Sequence, residues 1–400
     1  MKRTMSSMVV LFSILFFCSV SSSIAEVGVS KDTIKVGHVG ALSGPAAFLG
    51  TQMLNGIQIY ASYINDQGGV HGRKIKLAIG DSGYVPPRAV SAAKRLLSRD
   101  KIFCFLATVG SPPCLAIAKI IEDQRIPHIG AGSPSSIMFT PYKRYHFQYA
   151  LVTYDIQARV MVDYIVKHLK AKNPRIAIIY QDDEYGRDTL RGLQQGLNIY
   201  GLKLVDKQMY KRSDVDFSSQ MVHLRKSDPQ YIIMSAIPRA APMILKQARI
   251  VQWSHYPQFI GTVGIATDKV VETAGDNAMG FLCITTQARE DSNAPGAVRY
   301  RELLKKYKPN MKPEFYVLLG FGSTWVFHEG LKRAGRNLTR EGLVDAMETL
   351  KGFETGGIFP AITFGPKYRK PPQAGYFLKA DVKKKRYVKW TDWIKPTPIE

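Results

Sequence analysis

From Thr33 onward, short apolar runs alternate with longer stretches whose apolar residues recur at helical spacing. Thr33-Ile-Lys-Val-Gly-His-Val-Gly-Ala-Leu42 predicts a first strand. The following segment, from about Ala46 to Asn65, places Leu49, Met53, Ile57, Tyr60 and Ile64 on one face and predicts a helix. It stops at Gly68-Gly69, where glycine allows a left-handed exit. The alternation goes on with strands at 74–80, 102–108 and 126–131 and with helices from Pro86 and over 112–123. A long helix is predicted over 155–171. A second series then begins, with strands at 175–180 and 231–235 and helices over 187–200, 217–226 and through Arg249. Helices over 295–308, 314–334 and 339–350 precede a final hairpin, Gly375–Lys379 with Arg386–Trp390. Continuous apolar strands alternating with helices imply parallel sheets covered on both faces. The segment Ile102–Ile121 (strand, proline-bearing turn, helix) is echoed by Tyr231–Ala248. Two similar α/β halves, each a doubly wound parallel sheet, fit this better than one large domain.

The first residues change the picture of where this chain works. Lys2 and Arg3 precede an apolar run, Met8–Val20, and a small-residue stretch, Ser21–Ala25. That order predicts a cleaved secretory signal over residues 1–25, with Ser23 and Ala25 at the positions before the cut. The run is too short for the ~20 residues of a spanning helix. Phe16 and Phe17 stand before Cys18, where a lipid-anchored leader wants small residues, so an untethered product is expected.

Composition then narrows the function classes. Hydrophobic residues make up 45%, ordinary for a packed globular chain. The net charge of +23 invites nucleic acid as a partner. Yet the cations are scattered, and the one dense run, Lys383-Lys-Lys-Arg386, falls between two strand-like pieces and predicts a solvated hairpin turn. A nucleic-acid binder is therefore not expected. After the leader, Cys104, Cys114 and Cys283 remain, too few for a disulfide framework. Cys104 and Cys114 could bridge, but apolar core positions fit better.

Ligands of open parallel sheets bind beyond the carboxyl ends of strands. The turns there are rich in small residues: Leu42-Ser-Gly-Pro45, Gly110-Ser111-Pro112 and Gly130-Ala-Gly-Ser133. Their backbone N–H groups and helix starts favour an anion such as a carboxylate. No nucleophile elbow, zinc-binding helix, phosphate loop or dinucleotide fingerprint occurs, so no catalytic group, metal or cofactor is expected. Asp182-Asp183-Glu184 predicts a solvated turn.

Thr33-Ile-Lys-Val-Gly37, Leu42-Ser-Gly-Pro45, Asn65-Asp-Gln-Gly-Gly-Val-His-Gly72 and Tyr180-Gln-Asp-Asp-Glu-Tyr-Gly186, in this order, resemble the periplasmic solute-binding proteins of branched-chain amino acid ABC importers. The resemblance implies a type I clamshell: two lobes joined by three crossovers, with no enzymatic activity, delivering a small-molecule carboxylate to a membrane permease. It implies a periplasmic protein, working as a monomer without cofactor or metal. The lobes are expected at 26–152 with 286–361 and at 153–285 with 362–400. Carried over residue by residue, it puts Gly110 and Ser111 at the ligand carboxylate and Ala131 and Ser133 beside them. Leu49 would line the apolar pocket, and Tyr185 would close from the second lobe with Thr262 and Val263. In amino-acid binders an acid occupies the position of Val263 and pairs with the ligand ammonium. Its absence points to a carboxylate without an ammonium, since a buried, unpaired ammonium is costly. Asp183 or Glu184 is the alternative source of that charge. A secreted sensor on the same scaffold and an α/β enzyme are the competing functions.

Overall fold

The computed structural model describes residues 26–369 and 371–399. The leader expected over residues 1–25 lies outside the described residues. Among those described, no helix is long and apolar enough to cross a membrane.

The first sheet contains β1 (Thr33–Gly40), β2 (Lys74–Asp81), β3 (Cys104–Leu106), β4 (His128–Ile129) and β5 (His146–Phe147). Its order is β2-β1-β3-β4-β5, and every pair is parallel. Three helices connect these strands: α1 (Ala47–Asp66), α2 (Pro86–Ser98) and α3 (Ser111–Asp123). Pro86 opens α2 because the first turn lacks hydrogen-bond acceptors for its N–H groups. Then come α4 (Tyr154–Asp163), running on into a π-helical turn at Tyr164–His168, β6 (Ile176–Gln181), α5 (Glu184–Ile199), β7 (Leu204–Tyr210) and α6 (Ser218–Lys226). They are followed by β8 (Tyr231–Ser235), α7 (Ala240–Ile250), β9 (Gln258–Gly261), α8 (Asp268–Ala274) and β10 (Leu282–Thr285). The chain ends with α9 (Pro295–Tyr307), α10 (Phe315–Ala334), α11 (Arg340–Glu348), β11 (Tyr376–Asp381) and β12 (Arg386–Lys389). The second sheet runs β12-β11-β10-β9-β8-β6-β7; only β11 and β12 are antiparallel to their neighbours. All six residues of β6 are buried, as a central parallel strand between two helix layers requires.

The chain returns to the first sheet late. Helix α10 lies along α1, so closely that a Cβ at Gly56 would meet the Val317 carbonyl at 2.0 Å. Residues 362–369 also stay there. The Phe364 ring stands 5.1 Å from that of Phe147, and the Arg369 guanidinium lies 4.1 Å over Phe147. These contacts hold to the first sheet a segment that the expected boundary at 361 assigns to the second lobe.

Cys104, Cys114 and Cys283 are free and buried, as small core residues. The hairpin turn Lys383–Lys385 is exposed, as the charge run predicts. The acidic run departs from expectation. It begins α5 rather than a solvated turn, because the first N–H groups of a helix need acceptors. The Asp183 carboxylate accepts from the N–H of Tyr185 at 3.0 Å and of Gly186 at 3.4 Å.

Candidate functional site

The strand order of each sheet reverses once: between β1 and β3 in the first, and between β6 and β8 in the second. Such a switch point opens a crevice at the carboxyl ends of the strands. The predicted site residues fall at these two ends.

On the first side, the turns after β3 and β4 are zipped together. Gly132 N–H donates to the Thr108 carbonyl at 2.7 Å, and Gly110 N–H donates to the Gly132 carbonyl at 3.2 Å. This brings two residues 22 positions apart into contact: Ser133 Oγ donates to Ser111 Oγ at 2.8 Å. Both serines are fully buried. Ser111 also heads α3, where helix N–H groups point outward. Gly110 has φ +97°, and a Cβ there would meet the Tyr84 ring at 2.5 Å. Glycine is required twice over at this position. Ala131 is buried, and its carbonyl accepts from Gln148 Nε2 at 2.7 Å. Leu49 lies in the first turn of α1, half-buried, next to Phe48, whose ring meets that of Tyr316 edge-on at 6.3 Å.

On the second side, Tyr185 stands in the first turn of α5. Its phenol donates to the Ala236 carbonyl at 3.0 Å and is in close hydrogen-bond contact with Thr262 Oγ1. Val263 is buried, and its N–H donates to Gln157 Oε1 at 2.9 Å. Thus Gly110, Ser111 and Ser133 form one cluster, and Tyr185, Thr262 and Val263 form another.

Residues outside the sequence expectation join the two clusters. Tyr154, at the head of α4, is buried with its phenol near Ser111. Its ring packs on Tyr185 with centroids 4.5 Å apart. Tyr316, on α10, donates to the Gly264 carbonyl at 2.5 Å. Tyr84, from the loop after β2, covers Gly110. Burial pushes the phenols of Tyr84, Tyr154, Tyr185 and Tyr316 well above their ordinary range. They remain neutral O–H donors. Nothing in their local sequence marks these tyrosines, since the chain has 20 of them in many settings.

The acids in the first turns of α5 are already occupied. Asp183 caps α5, and burial raises its carboxyl. Glu184 pairs with Arg191 at 2.7 Å. Asp188 accepts from Ser136 and Arg191, and burial raises it to about 6. A groove of about 890 Å³ opens nearby, lined by Phe48, Asp268, Glu290, Met311, Glu314 and the Lys384–Arg386 turn. It does not reach Ser111, Ser133 or Tyr185. Among the described residues, no cluster of His, Cys, Asp and Glu has the geometry to hold a metal. The arrangement offers hydroxyl and helix N–H donors facing an aromatic wall. It is suited to gripping a small molecule with a polar, acidic end and an apolar body.

Comparison with known proteins agrees with this architecture. The sequence pattern of the family described as periplasmic binding protein matches residues 33–386. An amino acid binding protein of Pseudomonas aeruginosa is 27% identical over 314 residues, covering 76% of this chain and 79% of that one. The leucine-specific-binding protein of Salmonella typhimurium is 26% identical over 333 residues, covering 82% and 85%. Among solved structures, a fatty acid ABC transporter substrate-binding protein from Thermomonospora curvata superposes with a TM-score of 0.82 at 24% identity, covering 93% of this chain and 94% of that one. At that identity the likeness speaks for the fold.

Proposed function

This chain belongs to the periplasmic binding protein family, and from that premise we propose that it captures a carboxylate lacking an ammonium group in the cleft between its two sheets. The family's members bind small molecules for the permeases of ABC transporters and catalyse no reaction. That much holds for this chain. The finer reading concerns the ligand and the residues that hold it. Ser111, Ser133 and the N-terminus of α3 take the carboxylate, with Gly110 and Ala131 shaping the turn around it. Leu49 and the tyrosines enclose the apolar body, and Tyr185 with the Thr262-Val263 turn closes from the second lobe. The lobes comprise 26–152 with 286–369 and 153–285 with 371–399, and they hinge about the three crossings. The protein acts as a monomer, exported by the leader at residues 1–25.

The observation that carries the choice of ligand is that none of the three positions from which the ammonium partner is expected offers a free acid. Val263 is apolar, and Asp183 and Glu184 are spent on a helix cap and on arginine. An ammonium would enter a buried site without a counter-charge. Among its relatives both an amino-acid binder and a fatty acid binder occur. Calorimetric titration with benzoate, octanoate and leucine tests the proposal. Binding of either acid, weakened roughly tenfold by Ser111→Ala through loss of a hydrogen bond to a charged group, supports it. Tight leucine binding with neither acid bound overturns it.

A further inference from the structure

Arg212 follows β7 on the second sheet, yet its side chain ends on the first. Its Nη1 donates to the Tyr84 carbonyl at 3.1 Å, and its guanidinium lies 4.8 Å over the Tyr84 ring. The same ring covers Gly110, the residue before Ser111. The cation is therefore one aromatic ring away from the serine pair. Its Nε is buried and has no hydrogen-bond partner among the described residues. The acid whose field reaches it is Asp183, but that carboxylate is taken by Gln181 and by the first turn of α5. The second side of the cleft thus brings a cation with no carboxylate of its own up to the ring that covers Gly110. A partly buried guanidinium is costly until an acceptor completes its fork, and a carboxylate matches that fork.

We propose that Arg212 is the specificity-determining residue of the cleft, supplying the counter-charge for the carboxylate of the incoming ligand while the serines supply hydrogen bonds. It selects anions over neutral molecules of the same shape. Because it spans both sheets, it can engage this anion only when the lobes have closed. The inference rests on the cleft reading above and adds to it the residue that enforces the charge preference.

The test compares benzoate with benzamide, which share a ring and differ in charge, by calorimetry on wild type, Arg212→Gln and Arg212→Lys. Wild type should prefer benzoate at least tenfold. Arg212→Gln should lose roughly 10- to 100-fold in benzoate affinity, the size of one charge-assisted hydrogen bond, with benzamide little changed. Arg212→Lys should recover part of the preference, and it keeps the cation should the glutamine variant fold poorly. Equal weakening of benzoate and benzamide would reduce Arg212 to a mechanical latch and overturn its role in selection. Unchanged benzoate binding in Arg212→Gln would overturn it while leaving the carboxylate reading intact. A wild type that binds leucine tightly and neither benzoate nor benzamide overturns both.

Discussion

At the scale of single residues, the site is made from ordinary side chains in constrained places. A serine that heads a helix and another that ends a strand turn meet through one hydrogen bond of 2.8 Å. Their approach depends on Gly110, whose left-handed backbone leaves room for the Tyr84 ring. Gly110→Ala would strain the backbone and press a methyl group into that ring. We expect a loss of about 2–3 kcal/mol in chemical denaturation. A variant as stable as wild type would show that the ring moves aside freely. The turns carrying Gly110, Ser111, Ala131 and Ser133 stand out in the sequence because small residues follow apolar strands. Tyr84, Tyr154 and Tyr316 do not stand out, because a tyrosine at a strand end, at a helix start or inside a helix has no local signature. The acidic run at Asp182 was legible as polar but not as a cap, since its acceptor role depends on where α5 begins.

At the scale of elements, the first sheet carries an unusual feature. His38 on β1, His128 on β4 and His146 on β5 are all fully buried. The Nδ1 atoms of His128 and His146 lie 3.2 Å apart, and His38 Nδ1 bonds to the Leu106 carbonyl at 3.1 Å. Burial, the largest cause in each, lowers His38 to about 4 and His146 to about 3, with Lys143 adding to the latter, and holds His128 well below its usual value. Glu122 stands 3.6 Å from His146, too weak an opposing influence to reverse the loss of solvation. The folded state therefore binds fewer protons than the unfolded chain, whose histidines titrate near 6.5. The stability these histidines contribute should be complete above pH ~6.5 and fall as the pH drops from there toward 4, against the opposite contribution of Asp188, raised to about 6, and Glu314, raised to about 7. Urea denaturation at pH 7.5 and 5 measures this, and His38→Gln should flatten the decline. The same pH dependence in His38→Gln as in wild type would rule the effect out.

At the scale of the whole molecule, the passage from β10 back to the first sheet is held by charge. Arg289 reaches both oxygens of Asp268 at 3.1 and 3.0 Å and Asp291 at 3.0 Å. Asp291 in turn meets Arg386 of the final hairpin at 2.5 Å. The guanidinium side chain is 9% exposed, so this is a nearly buried network rather than a surface pair. Removing Arg289 leaves Asp268 without its ion-pair partner and Asp291 with Arg386 alone, and Arg289→Met should cost about 3 kcal/mol. Thermal unfolding checks it; a melting temperature equal to wild type would mean the acids find water instead. The sequence by itself determined the α/β class, the order of most strands and helices, the hairpin and the turns that carry small residues. Those follow from periodicity and from residues close together along the chain. It missed β7, which has no apolar run, and the packing of Phe364 on Phe147, which joins residues far apart along the chain. Only the tertiary structure decided which turns face each other. Tyr84 and Arg212 are 128 positions apart. What joins them is the reversal of strand order in two separate sheets, a property of how strands pair rather than of any stretch of chain.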